Sequence, residues 1–415
     1  MLIGTRSSDS KLLFLPNEKS LGLNKEVAFK FISTSKEWHG GINYYRALFH
    51  ALNAAPGSGI KPVVFVGNHA VVADMFFPPN VRVVRSSVFD RKSLLWFLDK
   101  ICTKIFGVSW LSNYIICKQN IDVLSHAGPT GQSKLRNIAW IPDFQHLHLP
   151  QFFSAKEVHR RTESFKEIAR RSDLILLSSE SARRDFASFS PEYESKARVL
   201  RFCGLPPNVD WSKLVDLRAT YGISGHYFYI PNQVWAHKNH LTAVYALAQI
   251  AAEWPDVSII CTGALNDYRN PEYLNQLKSE IERLGITKRF RLLGVIPYDH
   301  IAQLMIQSIA VINPSQFEGW STTVEEAKAL GVKMILSSID VHHEQCPSGE
   351  AKFFESLDAT SLAELLLMHR EAPRPAISEE NYKATSQLHS IRTKEVAREF
   401  ARIVNELTIR ARRSL

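Results

Sequence analysis

The sequence predicts an α/β protein with two tandem Rossmann-like domains, each a doubly wound parallel sheet, facing each other across a cleft. Three observations carry this. Short apolar runs recur between helical stretches along the whole chain. The series is interrupted by a proline-bearing segment, CGLPPNVDW (203–211), and then begins again. A chain of 415 residues is also longer than one hydrophobic core ordinarily organises.

Residues 1–24 read as an irregular lead-in, and VAFKFIS (27–33) as the first strand. A loop containing Gly40 and Gly41 leads into a helical pattern over 42–54. Strands are expected in PVVFVG near 62, VRVVR near 81, IDVLS near 121, RNIAWI near 136, DLILLSS near 173 and ARVLRF near 197, with a helix over 155–171. The span from Leu94 to Cys117 is the most apolar, but Asp99, Lys100 and Lys104 break it, so two amphipathic helices fit it better than a membrane span. Packing of their apolar faces on their own domain is the expectation. A surface turned to an anionic membrane or to the acceptor is the minority reading.

Past residue 207 the alternation resumes. Strands are expected at 226–232, 256–263, 289–294, 308–314 and 332–338, and helices at 238–254, 271–284, 298–306, 323–330, 360–369 and 390–413. The division is therefore 1–207, 208–385 and a C-terminal helical segment, 386–415, that packs back on the first domain. Such an arrangement sets the carboxyl ends of two parallel sheets around one cleft.

Composition narrows the function classes. At 45% hydrophobic and 22% charged the chain reads as globular, with reduced cysteines: the five lie far apart, without a C-x-x-C pair. The N-terminus lacks the apolar core and small-residue cleavage site of a secretory signal, so a cytoplasmic location is expected. The net charge of +9 suits an anionic partner. Nucleic acid is not expected, because interleaved aromatic and basic recognition motifs are missing. The arginine pairs at 160–161, 170–171, 183–184 and 412–413 read as solvated helix faces.

The most informative stretch is Asn313 to Gly331, NPSQFEGWSTTVEEAKALG. An apolar run enters a Pro-Ser-Gln turn, a Glu-Gly pair follows, and Thr322 and Thr323 stand three residues before Glu325 and Glu326, which is capping-box spacing. Glu318 then sits in a strand-to-helix loop and Glu326 in the helix's first turn. Loops of this kind present backbone amides and the positive end of a helix dipole, where phosphates bind. Glu325 reads as an ordinary capping residue.

This segment resembles the signature of the retaining nucleotide-sugar glycosyltransferases of family 4, in which two glutamates stand eight positions apart, here Glu318 and Glu326 with Phe317-Glu318-Gly319 and Glu326-Ala327-Lys328-Ala329-Leu330-Gly331 around them. The resemblance spans about 27–370. It implies the glycosyltransferase B fold and transfer of a hexosyl group, with retention, from a GDP- or UDP-linked sugar to a saccharide or lipid-linked saccharide. Synthesis of polysaccharide, lipopolysaccharide or another glycoconjugate is the implied setting, at the inner face of a membrane in the minority reading. It also implies that Gly40 and Gly41 let amides approach the donor phosphate, and that Lys238, in IPNQVWAHKNH (230–240), contacts the diphosphate. Glu318 would accept sugar hydroxyls and Glu326 ribose hydroxyls, with Gly319, Ser321 and Thr322 lining the phosphate approach. Backbone near Gly294 to Ile296 would meet the base, and SSIDVHHEQC (337–346) would lie near the donor.

Departures from the pattern are equally specific. Trp320-Ser321-Thr322 stands where the family commonly has Phe-Gly-Leu, and Gln233 where many members have arginine. At IPDFQHLHLP (141–150), Pro142 occupies the place of a histidine and Asp143 that of its aspartate partner, leaving His146, His148 or His126 to supply a polar group, or His146 and His148 only to order the loop. No D-x-D triplet occurs in the chain, so neither a metal clamp nor any other cofactor is expected. A catalytically weak nucleotide-sugar-binding protein of the same fold is the alternative that these departures support.

Overall fold

A computed structural model describes residues 24–31, 39–70, 77–78, 81–106, 108–127, 135–205, 209, 211–371, 377 and 379–413. The expected lead-in up to residue 23, residues 34–38 of the loop before Gly40, and 206–208 and 210 of the linker lie outside these.

The first half opens with β1 (Lys25–Phe31), α1 (His39–Ala54), β2 (Ile60–Val66) and β3 (Arg82–Arg85). It continues with α2 (Leu94–Phe106), α3 (Trp110–Cys117), β4 (Val123–Ser125), β5 (Arg136–Ile141) and the single turn α4 (Gln145–His148). Then come α5 (Ala155–Arg171), β6 (Leu174–Leu177), α6 (Glu180–Phe189) and β7 (Ala197–Val199). All seven strands run parallel in the order β3-β2-β1-β4-β5-β6-β7. A sheet covered on both faces needs strands without alternation, and β6 is buried at every residue, LILL. Ser154 and Glu157 close a reciprocal capping box that starts α5 where expected.

The second half runs α7 (Leu217–Tyr221), β8 (His226–Ile230), α8 (His240–Gln249), β9 (Val257–Cys261), α9 (Tyr273–Arg283), β10 (Phe290–Leu292) and α10 (Tyr298–Gln307). After these come β11 (Val311–Asn313), α11 (Thr322–Leu330), β12 (Met334–Ser337), α12 (Asp340–Gln345), β13 (Ala351–Phe354), α13 (Ala359–Leu367) and the long α14 (Glu379–Arg413). Its sheet is parallel in the order β10-β9-β8-β11-β12-β13. Two parallel-sheet α/β domains, of seven and six strands, are thus the architecture.

Three expectations change. The helix expected over 238–254 is broken at its start: Asn239 adopts the left-handed conformation (φ 56°), which ends a 3-10 turn at Ala236–Lys238, and α8 begins only at His240. The short β13 and α12 were not expected. The two helices of 94–117 form, but α2 does not bury its apolar face: Asp99 is its buried residue, and Leu94, Phe97 and Ile105 are 74%, 57% and 67% exposed.

The strand order reverses direction between β1 and β4 in the first sheet and between β8 and β11 in the second. Those two switch points are where a parallel sheet leaves a crevice. Side chains clasp the domains together around it. Trp320 donates its indole N–H to the Phe202 carbonyl (2.8 Å). Glu344, on α12, accepts the first amides of α6, at Glu180 (2.9 Å) and Ser181 (3.3 Å), and the Arg201 guanidinium (2.7 Å). On the far rim, Arg269 lies 4.4 Å over the Phe153 ring and donates to Gln145 Oε1 (2.9 Å). The final helix crosses back: Val396, Ala397, Phe400, Ala401, Val404 and Leu407 of α14 enter the same core as Phe29 of β1 and Phe49 of α1.

Candidate active site

Each principal candidate follows a strand at a switch point. Gly40 and Gly41 lie in the first turn of α1 after β1, and His126 follows β4. Gln233 and Lys238 follow β8, and Glu318 follows β11.

The second-domain wall is built on asparagines. Asn232 donates to Asn313 Oδ1 (2.9 Å) and accepts the Thr323 hydroxyl (2.8 Å), which joins the ends of β8 and β11 to the start of α11. Asn313 Nδ2 reaches Ser321 Oγ (2.8 Å) and Glu318 Oε1 (3.4 Å). Ser315 Oγ lies 2.7 Å from Glu318 Oε1 and equally close to Asn313 Oδ1. The loops are stitched by Gln316 N–H to the His237 carbonyl (2.8 Å) and Asn239 Nδ2 to the Pro314 carbonyl (3.1 Å). Apart from Glu318, every residue of this mesh is a short polar side chain or a backbone group, which fixes the loops with little conformational freedom to lose.

Within that mesh Lys238 Nζ donates to Glu318 Oε1 at 2.6 Å, with side chains 17% and 9% exposed. Burial alone would raise the Glu318 pKa, but the Lys238 charge, His342 and the hydrogen bonds from Lys238 and Ser315 outweigh it and hold the carboxyl at about 2. Glu318 is therefore a fixed anion. An ammonium has three donors, so Lys238 keeps two beyond the one given to Glu318.

Glu326 behaves oppositely. It is buried, and burial raises its pKa to about 7 against the opposing effects of the Tyr298 hydroxyl, which donates at 3.0 Å, and the Arg46 charge from α1 across the cleft. Two glutamates eight positions apart are thus shifted in opposite directions for a physical reason: one has a lysine partner, and burial beside a phenol dominates the other.

The helix between them starts differently from the capping box read in the sequence. Ser321 is the N-cap, its hydroxyl accepting the Val324 amide, and the Ser321 amide is turned inward onto Gln345 Oε1 (3.1 Å) rather than toward the cleft. Thr322 and Thr323 supply the first two amides of α11, which a helix cannot satisfy internally. Glu325 is no capping residue: its carboxylate is completely buried and meets Arg392 of α14 at 2.5 Å and Gln345 Nε2 at 3.0 Å.

Across the cleft, a Cβ on Gly319 would stand 2.5 Å from the Pro142 carbonyl oxygen and 2.9 Å from Asp143 Cβ, so only glycine permits this approach of the two loops. Asp143 accepts the Gln145 amide (2.9 Å) and faces Arg161 at 3.7 Å. His146, expected to supply a polar group to the cleft, is instead fully buried, with its ring 5.3 Å from Phe165 and 6.4 Å from Phe144. Burial lowers its pKa, helped by Arg161. His148 is the histidine that turns outward, bonded to Asp185 (2.9 Å) with its ring 5.1 Å from Phe317. His126 (φ 57°) is held by both nitrogens, to Tyr44 OH (2.6 Å) and Ser125 Oγ (2.7 Å), among aromatic rings, and burial drops its pKa to about 3. It is a neutral imidazole fixed in place.

Tyr298, Arg46, Asn232, Asn313 and Ser315 belong to the site and were not singled out by sequence reasoning. The asparagine pair had one usable signal, a polar residue at the end of one buried strand and two positions past the end of the other. Tyr298 and Arg46 had none, because they join Glu326 only through the fold. Among the described residues no group of three or more histidine, cysteine or carboxylate side chains is arranged to hold a metal.

Two parallel-sheet domains with switch points facing one cleft are the glycosyltransferase B architecture. Residues 224–383, which include Lys238, Glu318 and Glu326, match the family described as Glycosyl transferases group 1. The fold resembles the crystal structure of a glycosyltransferase from Rickettsia africae (TM-score 0.65, 16% identity, covering 92% of this chain and 98% of that one). It also resembles Anabaena HepE in complex with UDP and glucose (0.65, 16%, 91% and 99%). Sucrose-phosphate synthase from Thermosynechococcus elongatus is similar to the same degree (0.65, 15%, 92% and 99%). No curated protein matches the chain.

Proposed function

We propose that the protein transfers a hexosyl group, with retention, from a nucleotide diphosphate sugar to a saccharide or lipid-linked saccharide, as the retaining family 4 resemblance implies. The carrying observation is the Lys238–Glu318 pair at the head of α11, a lysine with donors to spare beside a carboxylate locked in its anionic form. Departure of the nucleotide builds charge on the β-phosphate. Lys238 and the amides of Thr322 and Thr323 meet that charge. A lysine–phosphate contact has a Coulomb term of about 4 kcal/mol at an effective dielectric near 20, before desolvation. The helix terminus adds about 0.3–2 kcal/mol. Glu318, acceptor-only, takes the sugar hydroxyls, and Glu326 exchanges its Tyr298 hydrogen bond for the ribose hydroxyls.

A UDP-linked donor is the first to test, since HepE has been crystallised with UDP-glucose; GDP-linked sugars follow. Metal independence is part of the proposal. Thermal shift with a panel of nucleotide sugars, followed by acceptor-dependent release of the nucleotide diphosphate in the presence of a chelator, tests it. A donor that raises the melting temperature and turns over is the expected result. Turnover abolished by chelation and restored by magnesium or manganese would overturn the metal-free part.

The inward turn of His146 favours a second reading, a nucleotide-sugar-binding protein of low catalytic power. Tight donor binding without turnover or hydrolysis across a broad acceptor panel would select it.

A further inference from the structure

The helix α2 is inside out. Along an ordinary surface helix the apolar stripe faces the core, yet in α2 the buried residue is Asp99. Its Oδ1 accepts the Leu111 and Ser112 amides (2.9 and 3.2 Å) at the start of α3, and its Oδ2 accepts the Ser112 hydroxyl (2.5 Å). Lys30 of β1 donates to the same hydroxyl (3.1 Å). This buried knot holds the hairpin on the first domain by its polar side. Its apolar side chains point away: Leu94, Phe97, Ile105, Phe106, Trp110 and Tyr114 are 57–74% exposed.

We infer that the outward face of α2 and α3 docks on the headgroup region of an anionic lipid bilayer. Charge selects this occupant. Between Arg91 and Lys118 the chain has five basic residues and one acidic residue, and the acidic one, Asp99, is the buried one. The exposed lysines border the apolar patch, with Lys100 Nζ 4.6 Å over the Trp96 ring and Lys118 Nζ 4.5 Å over Tyr114. Aliphatic residues flanked by Trp, Tyr and Lys match the boundary between acyl chains and headgroups, where long basic side chains reach the phosphates. A second copy of the chain fits poorly, because a two-fold contact would set this basic rim against itself. Among the described residues no helix is long and apolar enough to cross a membrane, so the contact is peripheral.

The surface shares no residue with the donor cleft, so this inference and the transferase reading fail separately. Sedimentation with vesicles of phosphatidylcholine alone, or mixed with phosphatidylserine, tests it on the full chain. Wild-type protein binds the mixed vesicles about tenfold more tightly or better, and high salt weakens the binding. Replacing both Lys100 and Lys104 by serine weakens binding to the mixed vesicles by about fivefold per lysine. The triple variant F97S/I105S/F106S loses binding to both, while its melting temperature and donor affinity match wild type, because all three side chains are exposed. Wild-type protein without a phosphatidylserine preference, or a triple variant that binds as wild type does, overturns the proposal. So does a wild-type dimer that the triple variant dissociates when neither protein binds vesicles, since the patch would then be a contact between copies.

Discussion

Glu325 and Arg392 stand 67 positions apart and meet at 2.5 Å, joining the head of α11 to the final helix in a place where Glu325 has no exposure to solvent. The adjacent Glu326, about 100° further round the same helix, accepts the Tyr298 hydroxyl instead. One turn of α11 therefore faces both the cleft between the domains and the junction with α14.

Removing one partner of that junction leaves a charge stranded. Arg392→Met is expected to destabilise the protein by about 3 kcal/mol, because the buried Glu325 carboxylate keeps only Gln345. Combining it with Glu325→Gln recovers most of the loss. Urea denaturation of the two variants checks this, and a single variant as stable as wild type would mean that the pair contributes little.

The Lys238–Glu318 pair predicts that stability and turnover can be uncoupled. Lys238→Met costs about 3 kcal/mol and about 100-fold in kcat. Adding Glu318→Gln restores the stability and leaves kcat low. Wild-type kcat in the Lys238 variant would remove the lysine from leaving-group stabilisation. With Glu318 held at about 2 when folded and 4.5 otherwise, unfolding takes up a proton in that interval. The pair's contribution is therefore complete above pH 4.5 and is lost as pH falls toward 2.

For Glu326 the sign reverses. The folded protein retains its proton from pH 4.5 to about 7 while the unfolded chain does not, so this residue makes stability fall as pH rises through that interval. Glu326→Gln is expected to flatten the slope and to stabilise the unliganded protein at pH 8 by on the order of 3 kcal/mol. The same variant should bind donor about tenfold more weakly. Unchanged donor affinity by calorimetry would refute the ribose role.

Gly319→Ala tests how closely the two walls must meet. The added methyl would fall 2.5 Å from the Pro142 carbonyl oxygen, so the cleft must widen. A loss of about 1–3 kcal/mol in stability and about tenfold in kcat/KM is expected. Kinetics indistinguishable from wild type would show that this contact is dispensable.

The frame was legible in the sequence because its strands, buried on both faces, are continuous apolar runs such as LILL at 174–177. The two glutamates stood out through the family resemblance that their eight-residue spacing and flanking residues carry. Glu325 was misread because local spacing cannot reveal a partner on α14, and the role of His146 stayed open because a histidine in a loop looks alike whether it turns outward or onto Phe165. The α2 face was misread for a related reason: an amphipathic pattern states that one side is apolar, and only the position of Asp99 in the fold states which side is in. Short elements such as β13 carry too few residues for a period to register.

The return of α14 also sets an order of events on the ribosome. Phe400, Ala401 and Val404 complete a core begun by Phe29 and Phe49, so the domain synthesised first is the last to be finished. Its apolar groove stays open while the whole second domain emerges, a nascent intermediate that invites chaperone attention. A released chain truncated after residue 385 should accordingly show protease-resistant second-domain fragments and a digestible first domain.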